Sequence, residues 1–144
     1  MTVQQVLKSK GNASIVTIKP GSTLSQAASV LSSNRIGALV VSEDGLRVGG
    51  IISERDIVRE LGRRGPGCLT DKVEAVMTTR IVTCTRADRA VDVMQLMTDG
   101  RFRHMPVVED GIMVGFISIG DVVKARLAEL SMERDALTGM IMGN

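Results

Sequence analysis

One stretch, written twice, constrains this chain more than any other feature. Gly50-Ile51-Ile52-Ser53-Glu54-Arg55-Asp56 returns as Gly115-Phe116-Ile117-Ser118-Ile119-Gly120-Asp121. Each copy reads as a glycine, two apolar residues of a buried strand, and Ser-x-x-Asp opening a helix. The first N–H groups of a helix lack internal partners, and the helix dipole adds partial positive charge there. Such a junction suits a phosphate. The serine hydroxyl can donate to that phosphate, and an aspartate one turn on can accept from two vicinal ribose hydroxyls. The same spacing also approximates the capping box, in which both side chains merely satisfy the helix start. Recurrence in matched surroundings favours a binding role, and the capping reading stays beside it.

The duplication extends well beyond the motif. At a spacing of about 66 residues, slipping to about 65 after the hairpin, Ile15-Val16-Thr17 falls on Ile81-Val82-Thr83 and Glu43-Asp44-Gly45 on Glu109-Asp110-Gly111. Such self-similarity marks a duplicated supersecondary unit. In the first copy, Thr2 caps a short helix, Val3 to Leu7, ended by Lys10-Gly11-Asn12. Ile15 to Ile18 reads as a strand. Ser22 or Thr23 caps a helix with Leu24, Ala27, Ala28 and Leu31 on one face. Ile36 to Val41 is a strand covered on both faces, Asp44-Gly45 a hairpin turn, and Val48 to Ile52 the return. Ser53 then starts a helix to about Leu61, stopped by Gly62.

The second copy repeats the order: a short helix Val73 to Met77, a strand Ile81 to Cys84, and a helix capped by Asp88 carrying Ala90, Val93, Met94 and Met97. A strand His104 to Val108, a turn at Glu109-Asp110-Gly111 and a return Ile112 to Ile117 follow. Each half is thus strand, helix, strand, strand, helix, an α/β (α+β) class. About fifty residues bury too little surface to stand alone, so the halves are expected to pack sheet to sheet about a pseudo-twofold axis, with two equivalent clefts. The expected boundaries are residues 1–62 for the first repeat with its N-terminal helix, 63–72 for a surface linker, 73–128 for the second repeat and 129–144 for a C-terminal helical extension.

Composition narrows the function. The 144 residues are 44% hydrophobic and 24% charged, with Phe102 and Phe116 as the only aromatic residues among Phe, Tyr and Trp. A net charge of +2 and no stacking platform weigh against nucleic acid, and Arg59, Arg63 and Arg64 read as a solvated face. No apolar run reaches membrane-spanning length, and the N-terminus has no signal-peptide layout. Cys68 and Cys84 make neither a disulfide framework nor a metal site, and the single histidine, His104, argues against zinc. No nucleophile is paired with a base and no Walker-type loop is present. The expectation is a reduced, cytoplasmic, metal-free protein that is not an enzyme.

With Gly-h-h-Ser-x-x-Asp closing each half, the chain resembles a tandem pair of CBS (cystathionine β-synthase) domains, a Bateman module. Arg35-Ile36-Gly37-Ala38-Leu39-Val40-Val41, Ser53-Glu54-Arg55-Asp56-Ile57-Val58 and Arg101-Phe102-Arg103-His104-Met105-Pro106-Val107-Val108 look like that family's strands and helix starts. The resemblance covers roughly Thr2 to Leu127 and is similar to the small stand-alone bacterial type. It implies an adenosyl ligand: AMP, ADP or ATP, or else NADH or S-adenosylmethionine. It also implies that Asp56 and Asp121 hold ribose, while Ser53 and Ser118 meet phosphate. The base would lie by Thr17 and Gly37-Ala38-Leu39 in one cleft, and by Thr83 and Arg103-His104-Met105-Pro106 in the other. An apolar slot edged by a few polar groups is what adenine needs.

The two clefts are expected to differ. The first has Arg55 inside its motif. The second has Gly120, which permits close backbone approach, and Arg103, whose guanidinium can oppose a phosphate. Both clefts are expected to bind, the second being favoured for a phosphorylated ligand; the alternative leaves Arg103 in solvent and His104 as a neutral polar edge residue. On the last helix Val123, Leu127, Leu130, Leu137 and Ile141 follow a three-four spacing, with Arg134 in one apolar place. A second copy of the chain is the natural cover, with Met132, Met140 and Met142 adding to the contact or fraying. The resemblance likewise implies a disc-like homodimer. The function expected is regulatory sensing of an adenine nucleotide, read by a partner protein; the alternative is a ligand-free homodimeric scaffold.

Overall fold

The computed structural model describes residues 1–11 and 15–142; Asn12, in the expected break after the first helix, lies outside them. Five α-helices are found among the described residues: α1 (Val3–Lys10), α2 (Leu24–Asn34), α3 (Glu54–Arg64), α4 (Ala90–Gly100) and α5 (Ile119–Ile141). The strands are β1 (Thr17–Ile18), β2 (Ala38–Val41), β3 (Gly50–Ser53), β4 (His104–Glu109) and β5 (Ile112–Ser118). They form a three-stranded sheet in the order β1-β2-β3 and a two-stranded sheet of β4 and β5. β1 runs parallel to β2, with Thr17 opposite Val40, and β3 runs antiparallel to it, with Ala38 opposite Ser53.

The chain divides into two compact units, and they are not the two sequence repeats. One holds β1 through Thr83 together with residues 108–114. The other holds α1, residues 84–107 and the chain from Gly115 onward. Each repeat's opening segment therefore docks on the other repeat's first long helix. In one unit Val3 N–H donates to the Asp88 carbonyl and Ala90 N–H to the Met1 carbonyl; in the other, Val73 N–H donates to Ser22 and Leu24 N–H to Asp71. The same two-bond exchange is made twice.

The first unit packs Leu24, Leu31, Leu39, Ile52, Ile57 and Val73 into one apolar cluster. Fully burying such a side chain contributes about 1.5–3 kcal/mol. All four residues of β2 are buried, as expected of a strand covered on both faces. In the other unit α1 and α4 both pack on α5, with Val3, Val6, Val93, Met97, Val122 and Ala125 buried.

Several boundaries differ from the sequence reading. Ile81 to Cys84 does not form a strand; Cys84 makes a single parallel bridge with Val107. Val73 to Met77 is reduced to a 3-10 turn over Val73–Ala75. The expected surface linker contains a 3-10 turn, Pro66–Thr70, that buries Cys68. Asp88 does not cap α4. Its carboxylate accepts from Thr85 N–H at 2.8 Å, and Arg89 takes the cap position without a side-chain bond, the Met1 carbonyl serving Ala90 instead. Helix α3 continues through Gly62 to Arg64 because Glu60 ties Arg63 and Arg64, and Arg64 reaches Asp71 at 2.6 Å. Gly65, at φ 74°, ends it.

Candidate functional site at two strand-to-helix junctions

At the first junction β3 delivers Ser53 to the N-cap of α3 with extended backbone, φ −115° and ψ 162°. The Ser53 hydroxyl oxygen accepts from Asp56 N–H at 3.2 Å, while Ser53 N–H donates to Asp56 Oδ2 at 2.9 Å. The Ser53 hydroxyl also donates to Oδ2, at 2.9 Å, and Arg59 Nη2 donates to Oδ1 at 2.8 Å. Glu54 N–H is taken by the Gly37 carbonyl at 2.9 Å. Both carboxylate oxygens are engaged, and the Asp56 side chain is only 11% exposed.

The second junction is built alike but is less consumed. Ser118 caps α5, accepting from Asp121 N–H at 3.0 Å and giving its own N–H to Asp121 Oδ2 at 2.9 Å. Ile119 N–H goes to the Arg103 carbonyl at 2.8 Å, matching Glu54 on Gly37. The cation comes from elsewhere: Lys10 Nζ, at the end of α1, lies 3.0 Å from Asp121 Oδ2 and donates to the Phe116 carbonyl at 2.5 Å. Among the described residues no protein donor is found on Asp121 Oδ1, while the Ser118 hydroxyl adds a weaker interaction with the same carboxylate. A β-carbon placed on Gly120 would meet nothing closer than 3.6 Å, so the backbone there is open to approach. Burial pushes the Asp121 carboxyl up, but the Ser118 N–H and the Lys10 ammonium outweigh it, holding the group below its ordinary value.

The remaining expected residues divide sharply. Thr17, Gly37, Ala38 and Leu39 share a unit with Ser53 and Asp56. Thr17 and Gly37 are partly exposed, whereas Ala38 and Leu39 are buried and Leu39 belongs to the core. Arg55 is exposed and makes no ion pair among the described residues; Arg59, one turn along, is the cation on Asp56. Arg103 to Pro106 share a unit with Ser118 and Asp121, while Thr83 is exposed and belongs to the other unit. Arg103 is exposed, Met105 and Pro106 are buried, and the His104 ring stacks on Phe116 with centroids 5.6 Å apart.

Among the described residues, hollows lie beside these helices. One of about 500 Å³ lies between α2 and α3, bounded by Ala28, Leu31, Arg35, Gly37, Ile57 and Val58. Another of about 350 Å³ lies beside the start of α4, bounded by Met1, Arg89, Met94, Val122 and Arg126. Neither includes Ser53, Asp56, Ser118 or Asp121.

Arg59 and Lys10 were absent from the sequence-derived site. Arg59 was legible, since residues three apart on a helix are neighbours. Lys10 was not, because nothing in its local sequence points to a carboxylate so far along the chain. Among the described residues no cluster of three His, Cys, Asp or Glu side chains could hold a metal. No helix among them is long and apolar enough to cross a membrane.

A family model described as CBS domain matches residues 10–63 and again 73–128. The chain is 37% identical to a mitochondrial CBS domain-containing protein of Arabidopsis thaliana, over 99% of this chain and 72% of that protein. A solved CBS-domain containing protein from Agrobacterium tumefaciens is 41% identical, with a TM-score of 0.83 over 88% of this chain and 99% of that one. A CBS domain protein from Pyrobaculum aerophilum, solved complexed with AMP, is 26% identical, with a TM-score of 0.77 over 92% of this chain and 99% of that one.

Proposed function

The chain belongs to the CBS domain family, as a tandem pair, and from that premise we propose that it binds an adenine nucleotide at the Ser118–Asp121 junction and passes occupancy to a partner protein. CBS pairs are regulatory modules. The observation that carries the choice of site is the unspent hydrogen-bonding capacity of Asp121 Oδ1, since the Ser118 N–H and Lys10 both fall on Oδ2. The carboxylate oxygen suits ribose hydroxyls, and the serine, at the positive end of a helix, suits a phosphate. Exposed Arg103 supplies countercharge. The AMP complex of the Pyrobaculum relative supports this ligand class. Thr17, Gly37, Ser53, Arg55 and Asp56 form the second candidate position, of lower affinity because both Asp56 carboxylate oxygens are taken, Oδ2 by Ser53 and Oδ1 by Arg59. The protein so read is a homodimeric, cytoplasmic regulator without catalysis of its own.

A second reading, a ligand-free scaffold, is favoured by one specific observation: both Ser-x-x-Asp sequences form complete capping boxes. Mass spectrometry of the small molecules released from freshly purified, denatured protein separates the two. The nucleotide reading predicts an adenosyl compound in near-stoichiometric amount or, if purification strips it, uptake of added AMP. Neither release nor uptake of any adenosyl compound selects the scaffold.

A further inference from the structure

Resting on that nucleotide reading, we infer that Lys10 is a positioning residue of the second site: from the N-terminal helix it clamps the Asp121 carboxylate by Oδ2 and leaves Oδ1 for the ligand's hydroxyl groups. Two donors converge on Oδ2, the Ser118 N–H at 2.9 Å and the Lys10 ammonium at 3.0 Å. The ammonium is itself fixed by the Phe116 carbonyl at 2.5 Å, on the strand leading into the cap. A flexible lysine held at two points behaves as part of the site's frame. Val3 and Val6, buried on the same helix, anchor α1 in the unit that contains α5.

The first junction lacks this device. There the cation on the motif aspartate is Arg59 of the same helix, and it sits on Oδ1, while Ser53 takes Oδ2 twice. No oxygen is left without a partner. Lys10 thus explains why two nearly identical motifs differ in what they can offer, and it makes the N-terminal helix part of the nucleotide site.

The groups in contact with the Asp121 carboxylate are few. From α1 comes the Lys10 ammonium and from the cap of α5 the Ser118 N–H and hydroxyl; β5 contributes the uncharged Phe116 carbonyl, which faces Lys10. The test compares the full chain with Lys10→Met, which keeps the stem and removes the charge, and with Lys10→Arg. Calorimetric titration with AMP is expected to show affinity falling about tenfold in K10M, the scale of one charge-assisted hydrogen bond, and largely kept in K10R. In parallel, the Asp121 carboxyl titration followed by NMR is expected to move to higher pH in K10M only. Equal or tighter AMP binding by K10M than by wild type, or an unmoved Asp121 titration, overturns the inference; tighter binding identifies Lys10 as a competitor for the carboxylate. Failure of the wild-type chain to bind AMP instead sinks the nucleotide reading, and this role with it.

Discussion

A β-carbon on Gly115 would stand 2.7 Å from Cδ2 of Leu7, a distance no real side chain accepts without movement. The partner motif repeats the relationship, with a β-carbon on Gly50 falling 2.4 Å from Sδ of Met77. The glycine that opens each motif is there because the opening segment of the other repeat lies across its strand. Neither glycine has positive φ, so close approach and not backbone freedom is the reason. Overpacking of this kind costs about 1–3 kcal/mol. Gly115→Val is therefore expected to lower the urea midpoint substantially, whereas Gly120→Ala, whose β-carbon would make only an ordinary contact at 3.6 Å, leaves stability within about 0.5 kcal/mol of wild type. Equal midpoints for Gly115→Val and wild type would contradict the packing account.

The two motif aspartates should separate by function. Asp56 is consumed by its cap and by Arg59, so Asp56→Ala is expected to cost about 1–2 kcal/mol of stability, the scale of a lost N-cap, with little change in AMP affinity. Asp121→Ala is expected to weaken AMP binding by about 1–3 kcal/mol. Chemical denaturation and calorimetry on both variants check the pair of expectations. Interchanged results would move the principal site to the first junction.

Acid acts on the loop between β2 and β3. The Arg47 N–H, then the Leu46 N–H, with help from Ser42 and the Arg47 guanidinium, hold the Asp44 carboxyl down at about 2 against the opposing effect of desolvation. An unfolded aspartate titrates near ~3.9. The folded value lies below the unfolded one, so this carboxylate's contribution is present above about pH 4 and is lost as pH falls toward 2. Asp121, also held low, acts in the same direction. NMR titration is expected to show the Leu46 and Arg47 amides shifting with a midpoint near 2; a midpoint at the unfolded value would remove the bonds described.

The exposed stripe on α5 predicts self-association. Leu127 is 61% exposed, Leu137 59% and Ile141 83%, at coiled-coil spacing with Leu130. Leu137→Glu is expected to weaken a dimer seen by sedimentation velocity without lowering the thermal midpoint of the monomer. A monomeric wild-type chain at all accessible concentrations would leave the stripe without its proposed partner.

Much of this was legible because it is local. Capping boxes at Thr2, Thr23, Ser53 and Ser118 each follow from residues three apart, and all four form. Asp110 and Gly111 take the positive φ values, 52° and 78°, that a tight hairpin needs. Asp44-Gly45 looked the same but opens into a longer loop, because Asp44 bonds forward to Leu46 and Arg47 and holds the chain away from its return. What the sequence concealed is long-range. The run Ile81-Val82-Thr83 has the composition of a strand and finds no ladder, only the Cys84 bridge beyond it. Gly62 costs about 1 kcal/mol in a helix interior, yet the Glu60–Arg64–Asp71 network carries α3 past it. Lys10 on Asp121 depends on tertiary placement alone.

The most direct measurement is thermal unfolding of the full chain with and without AMP. At about 100 times its dissociation constant, a ligand bound only by the folded state adds about 2.7 kcal/mol. The account predicts a clear rise in Tm for wild type and a much smaller one for Asp121→Ala. An unchanged Tm for wild type in saturating AMP, ATP and NADH alike would contradict it.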